Sequence, residues 1–472
     1  MFEPYRSILE ALFLGYGIAL FSCYFCFAIL AIFAVRSNKR KSQFLKISDI
    51  QKSQDLPGIT LIAPAYNEAK SIVVNVRSLL SIQYPYYDLI IVNDGSTDDS
   101  LDQLKKAYDL VERPMPQGDS RINTQIAKTY YRSTNAKYQH LTVIDKVNGG
   151  RADALNCGIK YAQSELVLCT DADCIIEQDA LLKMVRPFLE ETKAEVVACG
   201  AAIGIANDSV IRNGVLSELR MPKSWVARIQ VVEYIRAFLL GRMAWSQMDG
   251  LLLVSGAFGM YPRKRVVEVG GFDHNTVGED LELCIRLRSY MTENDMPYDV
   301  VYLPETLCWT EAPATPKVYA TQRDRWARGL WETIKKHRRL FLNYKYKQMG
   351  LFFFPYWVFF ELWAPIVEFL GFVLILIYLL LGLVNLPFAL YLFLLVYLVG
   401  CIFSTFSIML YTINFKHYAK PKMIIQLLLA AYVESFYTHP VMLYAEMRGY
   451  FKKVFRIKSG WGNMVRKGFV SN

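Results

Sequence analysis

Two aspartates separated by one residue follow a short hydrophobic run in the sequence. Asp171 and Asp173 come shortly after the apolar stretch Glu165–Cys169. Mg²⁺ is usually held in proteins by one or two carboxylates together with phosphate oxygens. The pair therefore predicts a site for Mg²⁺ or Mn²⁺ and a diphosphate group, while a solvated turn is the alternative for this spacing taken alone.

Two further polar segments contain residue types that suit a nucleotide or a sugar. Asp94 follows a predicted strand and could accept hydrogen bonds from a nucleobase or a ribose, although Asn-Asp-Gly also forms good turns. Gly149 and Gly150 precede Arg151 at a predicted helix start, where bare backbone and a fixed cation suit phosphate or sugar. A flexible connection is the alternative for this second segment.

Glu279 and Asp280 open a predicted helix that continues through Arg288. A carboxylate at this position could act as a general base, because an acceptor hydroxyl that attacks an anomeric carbon must lose its proton. The alternative is structural, since acidic side chains at a helix N-terminus are stabilised by the helix dipole.

Gln322, Arg325 and Trp326 combine an amide, a cation and a large flat ring on one predicted helix. Arg325 could neutralise a leaving diphosphate, and Trp326 could stack on a sugar. The alternative is a helix on the membrane surface with an aromatic anchor.

The elements that must position these residues are short β-branched runs alternating with longer helical segments. This alternation predicts an α/β sandwich around a mainly parallel sheet. Ligands of such sheets bind at the carboxyl ends of the strands. Polar residues follow three of the predicted strands, which end at Ala63, Val92 and Cys169. The sequence therefore predicts a site at this edge before any motif is considered.

Hydrophobic residues make up 53% of the 472 residues and charged residues 20%. This composition excludes a disordered chain, a coiled coil, collagen and a small disulfide scaffold, and indicates a soluble domain joined to a membrane part. The net charge is +10. Basic clusters follow the apolar run Leu12–Val35 and precede a second apolar region, which predicts cytosolic flanks and argues against nucleic acid as a partner. Nine scattered cysteines suit a reducing compartment.

These patterns predict a multi-pass protein of the cell membrane with a cytosolic catalytic domain. The Met423–Tyr450 segment is expected to lie in the membrane interface rather than to cross it. The predicted organisation is an N-terminal transmembrane helix at 1–36, a linker at 37–57, a catalytic domain at 58–316, an amphipathic interface region at 317–348, a transmembrane hairpin at 349–415, and an interface or membrane helix with a basic tail at 416–472.

Six motifs occur along the chain in the order Ala63–Glu68, Asn93–Ser96, Asp171–Asp173, Ser255–Gly259, Gly278–Asp280 and Gln322–Trp326. Taken in this order, they resemble the membrane-embedded family 2 glycosyltransferases with a GT-A domain, which include cellulose, chitin, hyaluronan and poly-N-acetylglucosamine synthases. The stretch at 148–156 and the segment Trp461–Gly468 are most similar to the poly-N-acetylglucosamine branch.

The resemblance implies a Rossmann-like GT-A domain inserted between transmembrane helices, with amphipathic helices at the interface. It implies that Asp280 is the catalytic base, with Glu279 beside it, and that Asp171 and Asp173 hold the metal. The residues implied to bind the nucleotide sugar are Tyr66, Glu68, Asp94, Arg151, Asp171, Asp173, Gln322 and Arg325, and those implied to bind the acceptor are Trp326, Gly256 and Phe258.

The expected reaction is inverting and processive transfer from a UDP-sugar, with UDP-N-acetylglucosamine the best candidate, to the growing end of a β-linked polysaccharide, coupled to translocation of the polymer across the membrane. Partners implied are the donor, a polysaccharide or lipid acceptor, membrane lipids and accessory export subunits. Non-processive transfer to a lipid or a lipid-linked acceptor is the alternative within enzymes. A transporter or membrane scaffold that binds a nucleotide without turnover is the alternative from another class.

Glu361 and Glu368 lie seven residues apart in an apolar span and share a helical face with Trp357. Carboxylates inside a membrane indicate a functional site by default. These three residues could line a polysaccharide conduit, and the alternative is a pair of carboxylates in helix packing that are mutually hydrogen-bonded or reach toward the membrane interface.

Overall fold

The computed structural model describes residues 3–44, 50–51, 55–190, 192–457 and 470–471. The chain divides into two compact units. The sheet unit comprises Ser37–Lys223, Leu251–Ala312 and Val465–Asn472, and the helical unit comprises Met1–Arg36, Ser224–Gly250 and Pro313–Met464. The catalytic domain predicted as continuous from 58 to 316 is therefore interrupted, because Ser224–Gly250 belongs to the helical unit.

The described part of the sheet unit contains one ten-stranded sheet with the order β3-β4-β5-β2-β1-β6-β11-β8-β12-β7 and a small second sheet of β10, β9 and β13. The strands are β1 (Ile59–Ala65), β2 (Tyr87–Asn93), β3 (Leu110–Arg113), β4 (Ala127–Ser133), β5 (Leu141–Lys146), β6 (Leu166–Thr170), β7 (Ile175–Ile176), β8 (Glu195–Ile205), β9 (Val210–Arg212), β10 (Val215–Glu218), β11 (Phe258–Pro262), β12 (Tyr298–Thr310) and β13 (Val470–Ser471).

The four neighbouring strands β5, β2, β1 and β6 are parallel, and they form the buried centre of the sheet. Their apolar runs are continuous rather than alternating because helices cover both faces of such a sheet. The sheet as a whole is mixed, since β3, β4, β7 and β11 pair in antiparallel fashion. Parallel pairing is found in this centre and also between β8 and β12, so the prediction of a mainly parallel sheet is confirmed for these two parts.

The register explains why polar loops meet at one edge of this sheet. Ala65 pairs with Asn93, and Asn93 pairs with Asp145, so that β1, β2 and β5 end at the same level. The antiparallel strand β11 begins with Phe258 opposite Thr170, the last residue of β6. The loop that precedes β11 therefore ends beside Asp171, at the carboxyl edge of the parallel strands.

The helices alternate with the strands in the sheet unit and dominate the helical unit. They are α1 (Glu3–Phe44), α2 (Ile72–Leu79), α3 (Ser100–Ala107), α4 (Arg151–Tyr161), α5 (Ala180–Met184), α6 (Arg186–Leu189), α7 (Trp225–Ile235), α8 (Met243–Gln247), α9 (Arg263–Glu268), α10 (Glu279–Glu293), α11 (Pro316–Lys336), α12 (Phe354–Tyr356), α13 (Ala364–Leu380), α14 (Leu386–Phe415) and α15 (Pro421–Val454). Short 3₁₀ segments lie at Ala136–Tyr138, Arg338–Leu340 and Tyr344–Tyr346, and π-helical segments lie at Arg236–Arg242, Met349–Phe353 and Trp357–Leu362.

Among the described residues, three helical stretches are long and apolar enough to cross a membrane, namely Ile8–Lys41, Met349–Leu380 and Leu386–Phe415. The first helix continues to Phe44, so the segment predicted as a linker from 37 begins as helix. The chain folds Pro421–Val454 into one long helix with Pro440 inside it, and this helix is not one of the three stretches. The segment Trp461–Gly468, which contributed to the resemblance, lies outside the described residues.

Polar pairs fix the packing of the helical unit. The Arg236 guanidinium donates to both carboxylate oxygens of Glu434 on α15, at 2.9 and 2.5 Å, and also to the Ser404 hydroxyl on α14 at 2.7 Å. On α11, the buried Asp324 carboxylate accepts from Arg328, Arg448 and Lys452 at 2.7–2.9 Å. These pairs hold Ser224–Gly250 and α11 against α15, which is why the segment leaves the sheet unit.

Candidate active site

The loops after β1 and β2 are joined by side chain to backbone hydrogen bonds. The Asn67 amide N–H donates to the Ser96 hydroxyl at 3.0 Å, and the Thr97 N–H donates to the Asn67 side-chain oxygen at 2.8 Å. The Glu68 N–H donates to the Ser100 hydroxyl at 2.9 Å. This network leaves the Tyr66 ring about half exposed at the edge of the sheet, where it could stack on a base.

Asp94 lies at the end of β2 and is buried by a loop that wraps around its carboxylate. Its Oδ1 accepts from Lys146 Nζ at 2.6 Å and from the Gly149 N–H at 3.0 Å, and its Oδ2 accepts from the Gly150 N–H at 2.8 Å. Gly150 has φ +86°, a conformation that glycine adopts without strain. The structure thus places Asp94 as the organiser of the glycine loop and leaves little of its carboxylate to face a nucleobase.

Arg151, the first residue of α4, is the centre of the site. Its Nε donates to Asp171 at 2.8 Å, its Nη1 to Glu279 at 2.7 Å and its Nη2 to the Gly256 carbonyl at 2.7 Å. The planar guanidinium suits such multiple contacts because its N–H groups point in fixed directions. One side chain therefore joins three loops that are far apart in the sequence.

Asp280 reaches the same point through Gly256. Its Oδ2 accepts from the Gly256 N–H at 2.9 Å. A Cβ at Gly256 would lie 3.2 Å from both the Asp280 carboxylate and the Arg151 guanidinium, so a side chain there would crowd both groups. Asp280 is partly exposed, whereas Glu279 is buried against Arg151. The structure therefore favours Asp280 over Glu279 as the group that could accept a proton from a substrate.

Burial and ion pairing shift the pKa values of this centre, toward the charged form for the two cations Arg151 and Lys146 and toward the neutral form for Glu279. Burial alone would lower the pKa of Arg151, but the Asp171 and Glu279 carboxylates outweigh it and the pKa is raised. Burial raises the pKa of Glu279, and Arg151 opposes this shift. For Lys146, the carboxylates of Asp94 and Asp153 likewise outweigh burial and raise its pKa.

Asp171, Asp173 and Cys174 form a cluster whose ligand atoms all lie within 4.8 Å of one another. Two carboxylates suit Mg²⁺ or Mn²⁺, whereas a thiol is a soft ligand that these ions do not favour. Asp171 is already paired with Arg151, which makes Asp173 the better candidate for a direct metal ligand. The donor set therefore fits a hard divalent cation held by the two aspartates together with phosphate oxygens.

Gln322, Arg325 and Trp326 belong to α11 of the helical unit. Gln322 is buried and its Oε1 has no hydrogen-bond partner among the described residues, while the Trp326 ring is 42% exposed. The Arg323 guanidinium lies 4.3 Å from the centroid of the Trp326 ring and is paired with Glu233 on α7. The helix α11 is therefore held on two sides. Arg323 binds it to α7, and Asp324 binds it to α15.

The three residues expected to line a conduit lie in the first span after α11. Glu368 Oε1 is 2.7 Å from the His439 Nε2 atom on α15. Glu361 is exposed, and the indole N–H of Trp357 is buried and finds no hydrogen-bond partner in the part of the chain that the structure describes. Glu368 is therefore paired with a histidine on another helix of the same unit.

Two predicted contacts do not agree with the structure. Phe258 is fully buried in β11 between β6 and β8, so its ring cannot reach an acceptor. Phe258 belongs to the Ser255–Gly259 motif because it begins the strand β11, which positions Gly256 just before it. Glu279 is directed at Arg151 and is thereby a positioning residue rather than a second base.

Sequence reasoning missed Lys146, the last residue of β5. It is fully buried and bonded to Asp94 and Asp153. One signal was available, because a lysine at the end of a central strand must find carboxylate partners if it is buried. Asp94 directly follows the partner strand β2, whose last residue Asn93 pairs with Asp145.

The ten-stranded sheet, the carboxylate cluster at the ends of its parallel strands and the base candidate beside it define a GT-A type glycosyltransferase. Residues 60–225 match the family described as glycosyl transferase family 2, and residues 166–415, more than half of the chain, match glycosyl transferase family group 2. The chain belongs to the family 2 glycosyltransferases. This membership confirms the predicted enzyme class and fold.

Among curated proteins, the chain is 29% identical over 290 residues to a poly-beta-1,6-N-acetyl-D-glucosamine synthase of Staphylococcus epidermidis, which covers 60% of this chain and 58% of that protein. It is 29% identical over 300 residues to the synthase of the same name from Staphylococcus aureus strain COL, covering 63% and 60%. The matched region thus spans about three fifths of these relatives.

Among solved structures, a mannosyltransferase from Pyrobaculum calidifontis in complex with GDP-Man and Mn²⁺ has a TM-score of 0.49 and 16% identity, covering 92% of this chain and all of that one.

Proposed function

We propose that the protein transfers a sugar from a UDP-sugar, best UDP-N-acetylglucosamine, to the growing end of a β-linked polysaccharide, with inversion at the anomeric carbon. The observation that supports this most is the convergence of Asp171, Glu279 and Asp280 on Arg151 and Gly256 at the carboxyl edge of the parallel strands. The similarity to the staphylococcal synthases supports the choice of sugar.

In this proposal Asp280 acts as the general base. Its carboxylate takes the proton from the acceptor hydroxyl as that oxygen forms a bond to the anomeric carbon and the bond from this carbon to the diphosphate oxygen breaks. The electron pair of the broken bond leaves with UDP. A single base and direct displacement convert an α-linked donor into a β-linked product.

Arg151, Asp171 and Asp173 would bind the donor. A divalent cation bound by the two aspartates would neutralise charge on the diphosphate. Asp94 would shape the part of the donor site that binds the nucleotide, because it holds the backbone of Gly149 and Gly150 in place. Tyr66, Glu68, Gln322 and Arg325 are proposed as further donor contacts, and Gly256 and Trp326 as acceptor contacts.

The apolar stretches and their basic flanks support a multi-pass protein of the cell membrane with the sheet unit in the cytosol. Processive synthesis coupled to translocation is the expected mode, because carboxylates within the first span after α11 would supply polar contacts to a sugar chain that crosses the membrane.

The test is to incubate the purified full chain in lipid nanodiscs with MgCl₂ and individual UDP-sugars. Release of UDP from UDP-N-acetylglucosamine above that from UDP-glucose, with products of many sugar units by mass, is the expected result. Products one sugar longer than the acceptor would instead support single transfer to a lipid. Absence of UDP release from every donor would contradict the proposal and favour a nucleotide-binding scaffold.

Replacing both Glu361 and Glu368 with glutamine is expected to shorten the polymer while UDP release in the early phase changes little. The change weakens hydrogen bonds to sugar hydroxyls along the path, and each such bond contributes about 1 kcal/mol. Polymer length is measured on a sizing gel after synthesis in vesicles. Thr405→Val on α14 serves as the control for a polar change in another span. Unchanged polymer length and export in the double variant would contradict the conduit.

A further inference from the structure

Lys146 is an ammonium group enclosed entirely by protein. Its side chain has no exposed surface, and Nζ lies 2.6 Å from Asp94 Oδ1, 2.5 Å from Asp153 Oδ1 and 2.6 Å from the Val147 carbonyl oxygen. A lysine ammonium has three N–H donors, and all three are used by these acceptors. Lys146 therefore has neither the exposure nor a spare donor with which to touch a substrate.

The two carboxylates that bind Lys146 control the backbone that leads into α4. Asp94 accepts the N–H groups of Gly149 and Gly150, and Gly150 is the residue that caps the helix. Asp153 stands in the first turn of the helix and also accepts the N–H of Gln125 at 3.0 Å. Lys146 thus fixes the start of the helix at two points, one before and one after Arg151.

This arrangement connects the buried Lys146 ammonium to the backbone around Arg151 through the carboxylates of Asp94 and Asp153. Arg151 is held between Gly150 and Asp153, and its guanidinium must meet Asp171, Glu279 and the Gly256 carbonyl at the same time. Small shifts of groups that bind a substrate cause large losses, because binding and catalysis need the reacting groups in a narrow range of positions.

The loop formed by Gly149 and Gly150 packs closely against the Asp153 side chain and leaves it little room to move. A Cβ at Gly149 would lie 2.6 Å from the Asp153 Oδ1 atom, so the loop and the carboxylate are already in close contact. If the ammonium is removed, two buried carboxylates face each other without a cation, and this destabilises the arrangement of the loop and the helix start.

We propose that Lys146 is a positioning residue for donor binding, which acts by holding the Gly149–Gly150 loop and the first turn of α4 so that Arg151 is aimed at the donor site. The proposal rests on the proposed function, in which Arg151 binds the donor. In this proposal Lys146 does not contact the substrate, and it affects the affinity for the nucleotide through the position of Arg151.

The test compares the full chain in nanodiscs with Lys146→Met and with the double variant Lys146→Met, Asp153→Asn. The single variant leaves two uncompensated carboxylates and is expected to lower the melting temperature. The double variant has the same net charge at this position as the natural chain, since one carboxylate is removed with the ammonium, and it is expected to regain most of the lost melting temperature.

Binding of UDP in MgCl₂ is measured by titration calorimetry, with donor KM and kcat from UDP release. We expect the double variant to bind UDP about 10- to 100-fold more weakly than the natural chain, the size of effect seen when a partner that orients a ligand group is lost. Its KM for the donor should rise by a similar factor, and kcat at saturating donor should fall less.

Arg265→Met is the matched control, because it removes a cation that pairs with Glu195 and Glu268 in the same unit. If the double variant regains UDP affinity together with melting temperature, Lys146 serves only stability and the inference is wrong. It is also wrong if the double variant loses no more affinity than Arg265→Met. Failure of the natural chain to bind UDP would instead contradict the proposed function.

Discussion

Asp280→Asn is expected to lower the rate of sugar transfer by about 10²- to 10⁴-fold, the usual contribution of a general base. Asparagine has nearly the same shape and can still accept the Gly256 N–H, but it cannot take a proton. UDP binding should remain close to that of the natural chain, because Arg151, Asp171 and Asp173 are unchanged. The measurements are UDP release at saturating donor and calorimetric titration of UDP in MgCl₂.

Two control variants separate loss of the base from general damage. Asp299 lies near the amino end of β12, where its backbone pairs with Val196 at the start of β8. Asp299→Asn therefore alters a carboxylate at the amino end of the strand and should leave transfer unchanged. Glu279→Gln weakens a partner of Arg151 and should reduce UDP affinity as well as rate. Transfer by Asp280→Asn at the rate of the natural chain would remove Asp280 from the role of base.

The loops that carry the site could be predicted from the sequence because of the geometry of parallel sheets. Apolar runs predict buried strands, and the carboxyl ends of neighbouring parallel strands meet at one edge. Asp94, Asp171 and the glycines before Arg151 all follow such strands. The sequence therefore predicts that these loops meet without predicting which side chains bond to one another.

The pairings depend on side-chain directions that one sequence does not reveal. Glu279 and Asp280 are adjacent, and both suit a base at a helix start. Only the packing decides that Glu279 is buried against Arg151 while Asp280 stays partly exposed. The burial of Phe258 has the same origin, because the register of β11 against β6 was not visible in the motif.

The division of the chain into a sheet unit and a helical unit could not be predicted from sequence patterns either. Ser224–Gly250 lies between two segments of the sheet unit along the chain, and its apolar residues could have packed on the sheet. Its partners are distant in sequence, since Arg236 binds Ser404 and Glu434, and Glu233 binds Tyr319 and Arg323. Contacts over such separations follow from tertiary packing rather than local propensity.

Asp173→Asn is expected to weaken binding of UDP in MgCl₂ by about 100-fold or more, since charge stabilisation by a bound metal ion amounts to several kcal/mol and about 3 kcal/mol corresponds to that factor. In the natural chain, EDTA should weaken UDP binding. In the variant, EDTA should make little further difference, because the cation is already lost. Calorimetric titration of UDP with MgCl₂, MnCl₂ or EDTA gives all these values.

Cys174→Ser tests the third member of the cluster and is the matched control. If the two carboxylates hold a hard cation, the serine variant keeps both the affinity for UDP and its dependence on MgCl₂, because Mg²⁺ prefers oxygen ligands to sulfur. An equal loss of metal dependence in Cys174→Ser and Asp173→Asn would show that the thiol is a ligand, and the site would then select a softer cation. Metal-dependent UDP binding that is unchanged in Asp173→Asn would place the cation elsewhere, because Asp171 is already engaged by Arg151 at 2.8 Å.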